Sequence, residues 1–287
     1  MASVYHGVTG RQRVRAWCEA RLDAWEVAHS RWEVATDAGS TSVLSAGDPR
    51  DGMPLRVLVP GTNMNAAVSL DIVAELAKTG AVVVLDVPGQ PGLSAGYRPR
   101  RARLPWYGHW LSQALEQVAS GSAIVIGHSL GAAIALSAHS PHIIGRLLLS
   151  PGGLMPLAVP LPLLCATAPW MVRSTLPRTT RLLRQMSAPG HPVPADLAEW
   201  MTLVGRTCRS TLAPRPLPGA VLARSRTVPC TVAVGAHDVF LPHTRLASAT
   251  QRLLGIEPHV VDDAGHLLLD NAPHSVITLV GDLRAGG

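Results

Sequence analysis

Gly127-His128-Ser129-Leu130-Gly131 follows a short apolar run, Ala123 to Ile126, and precedes a segment of small residues, Ala132 to Ala138. This order predicts a strand that turns abruptly into a helix, with the central serine forced outward at the strand's carboxyl end. The flanking glycines follow sterically, because a turn this sharp brings strand and helix too close for a Cβ at Gly127 or Gly131. A serine displayed in this way is a candidate nucleophile. Its hydroxyl needs a base to take its proton and an acid to orient that base.

Outward from this turn the chain alternates. Strands are predicted at Trp32 to Thr36, Ser42 to Ala46, Leu55 to Val59 and Ala81 to Asp86, with helices near Ala66 to Lys78 and Trp106 to Ala119. Runs such as Val82-Val83-Val84-Leu85 lack polar alternation, as expected of parallel strands covered on both faces by helices. A further strand, Arg146 to Leu149, ends at Ser150-Pro151-Gly152-Gly153, and there the alternation stops. Residues from Leu154 to Thr227 are rich in proline and arginine with short helical patterns such as Ala195 to Val204, and they read as an inserted cap. Strands resume at Val228 to Val234 and His259 to Asp262, with helices near His243 to Leu254 and Pro273 to Leu283. The expected organisation is a core of residues 1–153 and 228–287 with a cap of 154–227. Leu154 to Val172 approaches the length of a membrane span, but Pro156, Pro160, Pro162 and Pro169 argue against one continuous helix, so an irregular apolar segment covering part of the protein is predicted, with interfacial lipid contact as the lesser alternative.

Composition narrows the class. At 287 residues, 47% hydrophobic and 15% charged, the chain has material for a substantial core and not the signature of disorder. The net charge of +6 comes almost wholly from arginine, Lys78 being the only lysine, and no aromatic-basic interleaving or zinc-finger spacing accompanies it. Nucleic acid is therefore not an expected partner. The first ten residues lack an apolar signal region, so a cytoplasmic enzyme is expected. Cys18, Cys165, Cys208 and Cys230 are scattered without a C-x-x-C pair, which favours reduced, packed thiols. The twelve histidines form no H-x-x-x-H helix beside a carboxylate cluster, so no metal is expected.

Base and acid follow the serine in chain order. Asp238 lies in Gly235-Ala236-His237-Asp238, just past the strand Thr231 to Val234, and His266 lies in Asp262-Asp263-Ala264-Gly265-His266, after the last strand. Both loops are predicted at the sheet's carboxyl edge, where they can meet Ser129. Asp262 and Asp263 are too close in sequence to His266 to be the first choice and read as turn residues. His128 reads as shaping the turn without acting as a base.

The chain resembles the α/β-hydrolase superfamily, in particular bacterial carboxylesterase-like members. The resemblance rests on Val59-Pro60-Gly61-Thr62-Asn63, on Asp86-Val87-Pro88-Gly89-Gln90-Pro91-Gly92-Leu93-Ser94, on the Ser129 turn and on the Asp238 and His266 loops. It implies a mostly parallel eight-stranded sheet flanked by helices with an inserted helical cap, a Ser129-His266-Asp238 triad, and no cofactor. It also implies an oxyanion hole from the amides of Leu130 and Thr62, with Asn63 as the alternative to Thr62. Many relatives carry His-Gly where this chain has Pro60-Gly61. A serine at the turn argues against the dehalogenase and epoxide hydrolase relatives, which carry aspartate there.

Met155, Leu161 and Trp170 of the cap, with Asn63, are candidate substrate-lining residues, and the apolar character of the cap favours an ester of a small or medium-sized apolar molecule. Arg98, Arg100, Arg101 and Arg103 form a basic group suited to a carboxylate, a phosphopantetheine arm or an acyl carrier protein. A thioesterase or a tailoring enzyme for acyl transfer, cyclisation or elimination would use the same triad. A non-catalytic small-molecule binder is the alternative from another class.

Overall fold

The computed structural model describes residues 1–209 and 214–285; residues 210–213, inside the predicted cap, and the last two residues lie outside the described residues. In chain order the elements begin with β1 (Ala2–Ser3), α1 (Val8–Asp23), β2 (His29–Thr36), β3 (Gly39–Ala46), β4 (Leu55–Val59), α2 (Leu70–Ala77), β5 (Val82–Leu85) and β6 (Tyr97–Arg98). They continue with α3 (Arg103–Val118), β7 (Ala123–His128), α4 (Leu130–Ser137), β8 (Ile143–Leu149), α5 (Leu161–Val172), α6 (Leu176–Met186), α7 (Ala195–Thr207) and α8 (Gly219–Ser225). The last are β9 (Cys230–Gly235), α9 (His243–Leu254), β10 (His259–Val261), α10 (Leu268–Asn271) and α11 (Pro273–Ala285).

Eight strands form one sheet in the order β10-β9-β8-β7-β4-β5-β3-β2, parallel from β10 to β5 and antiparallel at β3 and β2. Apolar side chains on the two faces feed two separate clusters. One joins Leu58, Val84, Ile126 and Leu149 to α2 and the cap helices, and the other joins Val57, Val83, Val125 and Leu148 to α3, α4 and α9. Adjacent residues of each strand enter opposite clusters, which is why these strands read as unbroken apolar runs. The strand and helix positions predicted from sequence are all present; β2, β3, β7 and β8 are longer by two or three residues, β4 is as predicted, and β5, β9 and β10 are shorter. Helix Ala66 to Lys78 is divided into a 3-10 turn, Ala66–Val68, and α2.

Three features depart from the sequence reading. First, α1 went unpredicted: it buries only Val14, Cys18 and Leu22, a stripe too narrow to stand out among its arginines. It packs its Trp17 against Trp200 of α7, ring centroids 4.9 Å apart. Second, Leu161–Val172 is helical in spite of two prolines. Pro162 occupies the first turn, where no N–H is needed, and the partner that Pro169 denies to the Cys165 carbonyl is denied at an exposed residue. Third, α8, although it lies before residue 228, packs on α4 and α9, while α5, α6 and α7 pack in series on one another.

Arg146 of β8 is buried without a carboxylate partner. Its guanidinium donates to the carbonyls of Ala135 (3.0 Å), Ala138 (3.2 Å) and Ser225 (3.3 Å), at the carboxyl ends of α4 and α8. The orphan carbonyls and the negative pole of each helix end thus replace an anion, and the helix that follows Ser129 is pinned from behind.

A Cβ on Gly131 would stand 1.9 Å from the Val59 carbonyl oxygen, whereas one on Gly121 would meet nothing within 4 Å. Gly131→Ala is expected to destabilise the protein by more than about 3 kcal/mol or to prevent soluble folding, and Gly121→Ala to change stability by less than about 0.5 kcal/mol. Urea denaturation of the two variants measures the difference.

Candidate active site

Every predicted chemical group sits just past the carboxyl end of a parallel strand: Thr62 after β4, Ser129 after β7, Asp238 after β9 and His266 after β10. Ser129 holds φ 52° and ψ −107°, a conformation rarely adopted outside glycine, and it opens α4 directly. Its amide donates to the Leu149 carbonyl at 2.9 Å, and its carbonyl accepts from Ala133 (3.3 Å) and Gly152 (3.0 Å). The turn is thereby held from both sides.

The three side chains meet. Ser129 Oγ lies 3.0 Å from His266 Nε2, and His266 Nδ1 lies 2.9 Å from Asp238 Oδ2, all three residues being buried. The carboxylate makes Nδ1 the protonated nitrogen, leaving the Nε2 lone pair for the serine hydroxyl. Asp238 Oδ1 accepts the amides of Phe240 (2.9 Å) and Leu241 (3.0 Å). Burial alone would raise the Asp238 pKa. The positive charge available to His266, its hydrogen bond and these amides outweigh burial and hold the carboxyl below its ordinary value. The buried Ser150 hydroxyl also faces this carboxylate and favours its ionised form, although it falls outside strict hydrogen-bond geometry. Asp262 and Asp263 are exposed, so Asp238 is the carboxylate on the imidazole. Phe240 packs edge-on against His266, 4.7 Å between ring centroids.

The loop after β4 is fixed by residues that the sequence reading did not single out. Gln90 Oε1 accepts the Asn63 amide at 3.0 Å while its Nε2 donates to the Tyr107 hydroxyl at 3.3 Å. The Asn63 carbonyl accepts the Trp200 indole N–H at 2.7 Å, and Asn63 itself takes φ 64°. Among the described residues, the amides of Thr62 and Leu130 have no partner within the chain. Asp86 is buried and braces the same region by accepting the amides of Ala66 (2.8 Å) and Leu93 (3.0 Å). Burial raises its pKa to about 6 against the pull of those two amides. A Cβ on Gly61 would stand 2.9 Å from His128 Nδ1 and 3.4 Å from Ser129 Cβ, so this loop and the serine turn are in contact.

His128 does shape the turn. Its Nε2–H donates to the His266 carbonyl at 2.8 Å, tying the serine strand to the histidine loop. Burial first, and then the neighbouring His266, lower its pKa to about 4, so it is neutral near pH 7. The cap holds the histidine loop from the other side. The Met186 carbonyl, at the end of α6, accepts the His266 amide at 2.7 Å, and Asn271 Oδ1 accepts the amides of Gly265 (3.1 Å) and Ala188 (3.2 Å).

Of the predicted lining residues, Met155 is buried in the same apolar cluster as Leu130. Trp170 instead packs inside the cap, its indole donating to Thr179 at 3.1 Å, and Leu161 projects into solvent. The expectation that these three line one pocket is corrected: α5 turns its Trp170 face inward and its Leu161 face outward. The basic group is likewise divided. Arg98 is buried and donates to the Gly89 carbonyl at 2.8 Å, while Arg100 and Arg101 are exposed. A cavity of about 370 Å³ is lined by apolar residues such as Met64 and Leu197, by charged ones such as Asp71, Asp196 and Asp270, and by His128. Among the described residues, no three His, Cys, Asp or Glu side chains gather as a metal site, and no helix is long and apolar enough to cross a membrane.

The sequence profile described as the alpha/beta hydrolase family matches residues 57–279. Two solved structures from Bacillus subtilis are similar throughout. Carboxylesterase CesB is 18% identical, with 98% of this chain and 100% of that chain covered and a TM-score of 0.78. The naproxen esterase is 19% identical, with 96% and 99% covered and a TM-score of 0.79. The N-acyl homoserine lactonase AidH is 16% identical, with 88% and 96% covered and a TM-score of 0.67. No curated protein matches the sequence.

His128 generates a pH dependence of stability. Its folded pKa of about 4 lies below the unfolded value of 6.5, so the unfolded chain binds more protons between these limits and stability falls as pH drops through them. The full loss is roughly 3 kcal/mol. Asp86, raised from 3.8 to about 6, acts oppositely: its burial stabilises least above pH 6. The difference between the native protein and His128→Gln isolates the histidine. Chemical denaturation from pH 7.5 to 4.5 should show the variant less stable at the upper end and the gap narrowing as pH falls.

Proposed function

Because this chain belongs to the alpha/beta hydrolase family, we propose that it is a serine esterase cleaving small to medium-sized apolar esters through an acyl-enzyme. The observation that carries the reading is the continuous chain from Ser129 Oγ through His266 to Asp238, at 3.0 and 2.9 Å. Ser129 Oγ attacks the ester carbonyl as His266 Nε2 takes its proton, and Asp238 stabilises the resulting imidazolium. The oxyanion is received by the amides of Leu130 and Thr62. The engagement of the Asn63 amide by Gln90 favours Thr62 for this role. Collapse expels the alcohol, which takes the proton from His266. Water then attacks the acyl-enzyme with His266 as base, releasing the acid and restoring the serine. The chemistry draws on side chains and amides alone. Leu130, next to the serine, and Phe240, on the His266 ring, give the site apolar character.

Fluorophosphonate labelling and turnover of p-nitrophenyl butyrate test the reading together. The native protein should label at Ser129 and Ser129→Ala should not; a folded native protein that leaves Ser129 unlabelled overturns the proposal. Asp238→Asn should lower kcat by three to four orders of magnitude, on the order of 10⁴ at most, because its amide favours the wrong imidazole tautomer.

Gln90→Leu removes the acceptor that holds Asn63 without touching the triad. A fall in kcat of about 10- to 100-fold with little change in KM is expected, since a displaced oxyanion loop is felt mainly in the transition state. Steady-state kinetics on the same ester measure it.

A further inference from the structure

The outer face of the cap is apolar where an ordinary protein surface is charged. On α5, Leu161, Leu164, Met171 and Val172 are exposed, Leu161 at 71% and Val172 at 86%, while Leu163, Ala166 and Trp170 turn inward. Val159 before the helix and Leu176 after it extend the same exposed surface. Six large apolar side chains are exposed within eighteen residues, and Leu161, Leu164, Met171 and Val172 share one side of α5 by helical spacing, unlike the scattered singles of most surfaces. The helix itself carries no charge.

Cations outnumber anions around this patch, where Glu199 of α7, beside Leu176 and Arg206, is the nearby acidic residue. Between Pro151 and Ala195 the sequence contains Arg173, Arg178, Arg181 and Arg184 and neither aspartate nor glutamate. All four arginines are exposed. Two are fixed near the end of α5: Arg173 follows the helix directly, and Arg178 Nη1 donates to the carbonyls of Pro169 and Arg173 at 3.1 Å each. Arg206 of α7, also exposed, donates to the Ser174 carbonyl at 2.8 Å and adds a further cation to this corner. An apolar helix face with a cationic border has the chemistry of a surface that enters the headgroup region of an anionic bilayer. A second copy of the chain fits less well, since a two-fold contact on this patch would bring the arginines of both copies together.

We propose that this face of the cap docks on anionic lipid bilayers. The segment leading into α5 runs past the active site, where the Ala158 amide donates to the Phe240 carbonyl at 2.8 Å and Phe240 packs on His266. A docked cap therefore brings the membrane surface alongside the approach to Ser129. The inference does not rest on the esterase reading, because docking uses none of the triad.

Flotation with vesicles of phosphatidylcholine alone, and of phosphatidylcholine with one third phosphatidylglycerol, tests it on the full chain. Cys165, an exposed thiol on the same helix, can carry an environment-sensitive fluorophore that reports entry into lipid. Floating with the anionic vesicles, a blue shift of the label and weakening by salt are expected. Leu161→Asp with Val172→Asp, and separately Arg173→Gln with Arg181→Gln, should each weaken binding at least about 10-fold. These side chains are exposed, and an unchanged melting temperature checks that the fold is kept. Ser129→Ala should bind as the native protein does. Absence of binding at low salt, equal binding to both vesicles, or binding unaffected by the aspartates overturns the proposal. So does a lipid-free dimer, seen by sedimentation velocity, that the aspartates dissociate.

Discussion

At Ser129 the chain passes from β7 into α4 with φ 52° and ψ −107°, and this passage is open only because Gly127 and Gly131 lack a Cβ. A side chain at Gly127 would meet the backbone of Gly131 and Ala132, and one at Gly131 would meet the carbonyls of Val59 and Pro60. The second contact matters beyond the turn itself. It sets β4 and its following loop against the start of α4, beside the serine. Strain at one residue and the absence of two methyl groups thus set the serine turn and the loop after β4 together. The Arg146 guanidinium, fastening the far ends of α4 and α8, holds the helix in the position this approach demands.

The helices between β8 and α8 brace the site. Of these, α6 ends on the His266 loop through the Met186 carbonyl, and α7 reaches the loop after β4 through the Trp200 indole. The imidazole and the oxyanion loop, supplied by strands on either side of the serine, are each steadied by a cap contact. Apolar packing supports this: Leu163, Trp170, Leu182 and Trp200 of the cap belong to the same cluster as the sheet residues Leu58, Ile126 and Leu149. Cap and sheet share one interior.

Much of this was legible in the sequence, for physical reasons that differ by element. The serine turn was legible because its steric demands are local and leave glycines at fixed offsets. Buried parallel strands announced themselves as unbroken aliphatic runs, and Asp238 and His266 by their places just after such runs. The helix α1 was hidden because three buried residues in sixteen leave little periodicity. Helix α5 was hidden because its prolines fall where a missing N–H costs little, and that depends on the exposure of Cys165. Leu161 and Trp170 look alike as apolar residues, and only the rotation of α5 sends one to solvent and the other inward. Gln90 and Asn271 left no signal of their own, since a buried amide side chain is recognisable only once the backbone groups it satisfies are in place.

The first two dozen residues supply none of the Ser129, His266 and Asp238 side chains, yet they are mechanically close to them. Arg21 lies over the Trp17 ring at 5.8 Å, Trp17 packs on Trp200, and Trp200 holds the Asn63 carbonyl, one residue from Thr62. The amino-terminal helix is consequently a poor place to trim or to fuse a partner. A version of the enzyme beginning at β2 would keep the eight-stranded sheet with Ser129, Asp238 and His266, while a face of Trp200 would lose its cover and the loop after β4 its outermost support.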